Sequence, residues 1–185
     1  PGHDGWDGSV AVAPDGQVHI ASIDPAQFGS ADGVEWGLRT DSGWQIRQVG
    51  SGPIPYEFAT GLAVDSQGRA HLSWHNGSER FAPDADGADL LYAVGGESGF
   101  RIEVVDAEGD VGKFSSLVLD ANEQPHLASF ERTERRAGYA RYHERDDNGN
   151  WHSERVAPMA DVTIAFLGAR KNVSLALDAR SEPHL

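Results

Sequence analysis

The stretch GLAVDSQGRAHLSW, Gly61 to Trp74, opens on alternating apolar residues at Leu62 and Val64, crosses the turn Asp65-Ser66-Gln67-Gly68 and resumes alternation over His71-Leu72-Ser73-Trp74. Successive side chains of a strand point to opposite faces, so each run reads as a strand and the pair as a hairpin. The turn chemistry agrees, because Asp65 can accept from the turn's own amides and Gly68 can take a positive φ.

The pattern recurs as SVAVAPDGQVHIAS from Ser9, SLVLDANEQPHLAS from Ser116 and SLALDARSEPHL from Ser174. His19, His71, His126 and His184 fix the alignment, at separations of 52, 55 and 58 residues. A repeat of that length means stacked supersecondary units. Later in each period, VEWGLR from Val34, DLLYAV from Asp89 and AGYARY from Ala137 read as third strands. WQIRQV from Trp44, FRIEVV from Phe100 and WHSERV from Trp151 read as fourth strands, reached through the short turns DSG, ESG and DDNGN. Such Gly- and Asn-bearing turns suit tight hairpins. Four antiparallel strands per period predict an all-β fold, a β-propeller of four-stranded blades.

On this reading residues 1–8 are a lead-in, 9–60 form blade 1, 61–115 blade 2, 116–173 blade 3, and 174–185 the first half of blade 4. A propeller needs about four blades to close. The expectation is therefore that the ring is completed by the remainder of a longer chain or by another protein chain, or that it stays an open array. The start at Pro1 without Met suggests a processed or truncated product.

The copies, with the form S-L-A-L-D-x-x-x-x-P-H-[IL]-S, a Tyr-bearing third strand and a fourth strand of the Gly-Trp-x-I type, resemble the repeats of secreted bacterial β-propeller proteins of the loosely sialidase or BNR-like kind. The resemblance spans Ser9 to Leu185. It implies a propeller fold and a secreted, periplasmic or cell-surface bacterial location, and it leaves function open, since such propellers include lectins, lyases, hydrolases and scaffolds. The turns Asp41-Ser42-Gly43-Trp44 and Asp147-Asn148-Gly149-Asn150-Trp151 are similar to the Asp-box of sialidases but lack its flanking Ser and Thr.

The net charge of −14 argues against nucleic acid, whose phosphates call for a basic surface. No apolar run is long enough for a membrane-spanning helix. With no cysteine, disulfides and thiol chemistry are excluded. Two sequons, Asn76-Gly77-Ser78 and Asn172-Val173-Ser174, are read as chance occurrences in a bacterial protein.

In an antiparallel blade the strand 2–3 loops and the connections between blades share one face. Here that face would carry 24–33, 75–88, 131–136, 50–60, 106–115 and 157–173, all longer and more varied than the turns opposite. Long, dissimilar loops on a regular scaffold are where binding residues concentrate. Phe28, Tyr56, Glu57, Phe58, Arg80, Phe81, Lys113, Phe114 and Arg132 fall in or beside them. Rings beside charged groups suit sugars, with a ring stacking on the pyranose face and polar groups taking hydroxyls.

Asp84, Asp86 and Asp89 alternate around Gly87 like the first half of a calcium loop, so Ca²⁺ is the cation this stretch would take; no Glu follows at the EF-hand distance. The repeated His19, His71, His126 and His184 stand on different blades, too far apart to share a metal. They are read as structural, each donating to strand or turn backbone. Trp44, Phe100 and Trp151 repeat by position and are read as core.

These features predict a binding or scaffold module presenting its long loops to a glycan or protein. Two alternatives stand beside it: a carbohydrate-active enzyme on the same fold, sialidase-like hydrolase or polysaccharide lyase, and a structural segment of an oligomeric surface assembly. No nucleophile elbow, P-loop or dinucleotide fingerprint is present.

Overall fold

The computed structural model describes residues 6–24, 33–51, 60–77, 89–134, 137–146, 148–160 and 173–185. Every regular element among them is a strand. Sheet I comprises β1 (Trp6–Val12), β2 (Val18–Asp24), β3 (Gly33–Thr40) and β4 (Gly43–Gly50). Sheet II comprises β5 (Gly61–Val64), β6 (Ala70–Asn76), β7 (Asp89–Gly96) and β8 (Gly99–Asp106). Sheet III comprises β9 (Asp110–Leu119), β10 (Pro125–Glu134), β11 (Ala137–Arg145) and β12 (Trp151–Ala160), and sheet IV pairs β13 (Ala176–Leu177) with β14 (Pro183–His184). Each sheet is an antiparallel meander in chain order, in a propeller-like blade arrangement.

The repeat turn closes by the chemistry read from Asp65. Its Oδ1 accepts from the amides of Gln67 (3.0 Å) and Arg69 (2.8 Å). Asp120 does the same with Asn122 and Gln124, and Asp178 with Arg180 and Glu182. The fourth turn residue is left-handed throughout: Gly16 and Gly68 adopt it freely, while Glu123 and Ser181 are held there at φ 62°.

Three of the repeat histidines, His19, His71 and His126, correct one expectation, because their partners are aromatic side chains rather than backbone, while His184 is exposed. Trp36 Nε1 donates to His19 Nδ1 at 3.1 Å. His71 Nδ1 and His126 Nδ1 each lie 2.5 Å from a third-strand hydroxyl, that of Tyr92 or Tyr142. The far nitrogen of His71 reaches Asp65 Oδ2 at 3.3 Å, so the imidazole bridges turn and third strand. In sheet I, Ala13 stands where Asp65 stands in sheet II, and the buried His19 Nε2 has no hydrogen-bond partner among the described residues.

Successive sheets pack face to face. Let the upstream face of a sheet be the one turned to its predecessor and the downstream face the one turned to its successor. Trp36, Leu38, Val34 and Ile23 of sheet I meet Leu72, Trp74, Ala70 and Ala93 of sheet II in one apolar cluster. Leu90, Tyr92 and Val105 of sheet II meet Leu117 and Leu127 of sheet III. Leu175 closes a third cluster with Ala128 and Tyr142. Burying a side chain of this size contributes about 1.5–3 kcal/mol, so the seams between sheets carry much of the stability.

The fourth-strand aromatics act as wedges across these seams. Phe100 meets Trp36 edge-on at 5.5 Å, and Trp151 meets Tyr92 edge-on at 5.4 Å. Trp44, expected in the core with them, is 45 % exposed. Its upstream-facing position in sheet I has no sheet packed against it among the described residues.

Strand lengths also depart from the sequence reading. β1 begins at Trp6, inside the stretch read as a lead-in. β9 begins at Asp110 and β10 runs to Glu134, so Lys113, Phe114 and Arg132 are strand residues rather than loop residues. Hydrophobic alternation fails in both places because the extensions carry charged side chains and two register shifts, and that hides them from a periodicity reading.

Candidate functional site

The two main seams differ in chemistry. Where sheet II turns Trp74, Leu91, Ala93 and Val104 upstream, sheet III carries Ser129, Arg141, His143 and Arg155 at the equivalent register positions. On the downstream side, Ile23 of sheet I and Phe130 of sheet III correspond to His75 of sheet II.

The bulged start of β9 brings charges to His75. Gly112 (φ 101°) and Phe114 (φ 54°) both leave extended geometry, and a bulky residue at positive φ is a strained conformation that its surroundings must hold. A Cβ at Gly112 would come within 2.9 Å of Leu90 Cα, so only glycine allows this approach of β9 to β7. The bend sends Asp110 and Lys113 towards sheet II. There Asp110 forms a close ion pair with Lys113, Arg132 Nε stands 2.6 Å from Asp110 Oδ2, and His75 Nε2 lies 3.3 Å from Asp110 Oδ1. Lys113 Nζ is 3.2 Å from His75 Nε2.

Burial would raise the Asp110 carboxyl, but the hydrogen bond from His75 and the charges of Lys113 and Arg132 outweigh it and hold it far below the ordinary range. Desolvation pushes His75 down to about 4, against the pull of Asp110, so it is neutral at pH 7.

A second group continues outward along the seam. Arg155 grips Glu131 with two hydrogen bonds (2.8 and 2.6 Å), and Arg141 reaches Asp106 (3.2 Å), Glu108 (3.3 Å) and Glu131 (3.5 Å). His143 sits between the hydroxyls of Ser129 (2.9 Å) and Ser153 (2.8 Å), and burial, helped by Arg141, lowers it to about 3. Burial and the neighbouring Asp106 raise the carboxyl of Asp89.

Of the residues named from sequence, Lys113 and Arg132 therefore converge on one carboxylate, with Phe114 in the same bulge. Asp89 stands at the start of β7. Phe28, Tyr56, Glu57, Phe58, Arg80, Phe81, Asp84 and Asp86 lie outside the described residues. Among the described residues no group of three or more His or carboxylate side chains is arranged to hold a metal ion. The sequence reading missed His75, Asp110, Asp106, Arg141 and His143. The available signal was departure from the repeat, since each of His75, Arg141 and His143 replaces an apolar residue of a neighbouring copy.

This end of the seam lies where β6 leads into the segment 78–88 and β8 passes to β9. No helix among the described residues is long and apolar enough to cross a membrane. No protein-family model matches the chain, and no curated protein does. Among solved structures, a fucose lectin from Kordia zhangzhouensis in complex with methyl-fucoside aligns with a TM-score of 0.48 and 13 % identity, over 80 % of this chain and 96 % of that one. A likeness at that level bears on neither the ligand nor the site of this chain.

Proposed function

We propose that the chain is a glycan-binding module of an exported bacterial protein, built from propeller blades and holding its ligand at the β6 and β9 end of the seam between sheets II and III. The observation that carries this reading is the bulge at Gly112–Phe114, which brings Asp110, Lys113, Arg132 and His75 together where β6 ends and β9 begins. Asp110, Lys113 and His75 are buried, so this ion-paired set holds the bulged backbone in place rather than touching a ligand itself, and the half-buried Phe114 in the bulge is the ring that would offer a pyranose a face. The charges would orient the ligand-contacting segments rather than perform acid–base work, since each is engaged by a partner within the seam.

A glycan array followed by calorimetry on the best binder tests this. Binding by the wild type, with affinity reduced by about tenfold or more in Asp110→Asn and Lys113→Met variants of unchanged fold, supports the reading. Absence of binding across the array, or equal affinity in both variants, contradicts it. Reducing-end release measured on the same glycans separates binding from hydrolysis or lyase chemistry.

A further inference from the structure

His75 stands where sheets I and III carry Ile23 and Phe130, so a titratable ring enters the seam between sheets II and III at a register the other copies keep apolar. It is 1 % exposed. The charged groups facing it among the described residues are Asp110 and Lys113 from β9 and Arg132 from β10, while β7 sets Leu90 opposite it in register. Its Nε2 has two neighbours with opposite demands: Lys113 Nζ, at 3.2 Å, can only donate, and Asp110 Oδ1, at 3.3 Å, can only accept. A neutral imidazole can serve either. The protonated ring can serve Asp110 alone, and one buried carboxylate then faces three cations, His75, Lys113 and Arg132.

Lys113 is also what ties down the start of β9. It lies between Gly112 (φ 101°) and Phe114 (φ 54°), and its ammonium joins Asp110 across the bend. A phenylalanine at positive φ persists only while its surroundings hold it there. Of the cations on Asp110, Lys113 has the flexible four-carbon stem and the strongly hydrated head, so it is the one that leaves for water most readily.

We infer that His75 is the catch of an acid-released latch: a proton on its ring expels Lys113 from the shared carboxylate, and the Gly112–Phe114 bulge opens while the apolar seam between sheets I and II stays closed. Burial keeps the folded ring neutral down to about pH 4, whereas a ring released into water takes its proton near pH 6.5. The closed form therefore binds fewer protons, is fully favoured above about pH 6.5 and loses ground as the pH falls towards 4. Asp110, held far below the ordinary carboxylate range, stays ionised over that interval. Use of the opening to release a glycan rests on the function proposed above; the opening itself does not.

Amide hydrogen exchange followed by NMR on the intact chain, with rates corrected for the intrinsic effect of pH, tests the inference. Protection of the amides 110–115 should fall about tenfold or more between pH 7 and pH 5, reversibly, while that of β3 in sheet I holds. In His75→Gln, whose amide can meet both Lys113 and Asp110 but takes no proton, the local fall should vanish. Circular dichroism checks that variant's fold. Should it not fold, the ring nitrogen shifts of His75 in the wild type decide instead, since protonation must track the loss of protection. Protection of 110–115 that is unchanged by acid, that falls only together with β3, or that still falls in His75→Gln would overturn the latch, as would a loss of protection that His75 protonation does not follow. Exchange is read without ligand, so failure of the glycan array and failure of the latch are distinct results.

Discussion

The seam between sheets I and II and the seam between sheets II and III are built on one backbone plan with opposite chemistry. In the first, Trp74, Leu91 and Ala93 pack under Trp36 and Leu38, and stability comes from apolar area. In the second, Ser129, Arg141 and His143 take those positions, and Asp110, Asp106 and Glu131 balance the cations. A buried ion pair recovers its desolvation cost only when every charge is matched, so the second seam gains less stability for the same burial and tolerates loss of a partner worse. Repetition therefore fixes the fold, and the place where repetition is broken marks what the molecule has beyond its fold.

That contrast can be broken most severely by removing one charge. Asp110→Ala leaves Lys113 and Arg132 without their shared carboxylate and should cost about 3–5 kcal/mol, measured by urea denaturation. Leu72→Ala in the apolar seam should cost about 2–5 kcal/mol through cavity formation, but with no change in pH dependence.

Acid sharpens the comparison. His75 and His143 have folded pKa values of about 4 and about 3, below the ordinary histidine value near 6.5. Between these limits the unfolded chain binds protons that the folded chain does not. Stability is full above about pH 6.5 and falls as the pH drops towards 4, by roughly a few kcal/mol for the pair. Asp110 acts in the same direction only below about pH 4, where the unfolded carboxyl protonates first. Melting temperatures between pH 7 and pH 4.5 should fall, and a His75→Gln, His143→Gln double variant should flatten the slope.

A smaller, opposite effect is expected in sheet I. Ala13→Asp supplies the carboxylate that Asp65 provides to His71, giving His19 Nε2 a partner, and should raise stability by about 1 kcal/mol. The smallest change is Ser181→Gly, which relieves a left-handed φ at the turn; the gain, a few tenths of a kcal/mol, is net of the extra freedom of glycine when unfolded. Both are read from thermal melts.

The strand order of each sheet was legible in the sequence because period-2 alternation and the Asp-containing turns are local and recur in register. Lys113 and Arg132 were legible as charged residues near a blade connection. Their convergence was not, since it depends on a bulge at Gly112–Phe114 that no periodicity encodes. Trp44 looked like Phe100 and Trp151 because a repeat shows the wedge but not whether a neighbouring sheet receives it. The repeat marks the positions of His19, His71 and His126, while their aromatic partners, Trp36, Tyr92 and Tyr142, required the third strand's register.

The most direct test of the polar seam as the ligand site is a ¹H–¹⁵N titration of the protein with the best glycan from the array. Shifts gathered at residues 75–77, 110–114 and 130–133 are the predicted result. Shifts confined to sheet I, with the β6 and β9 end of the second seam silent, would contradict it.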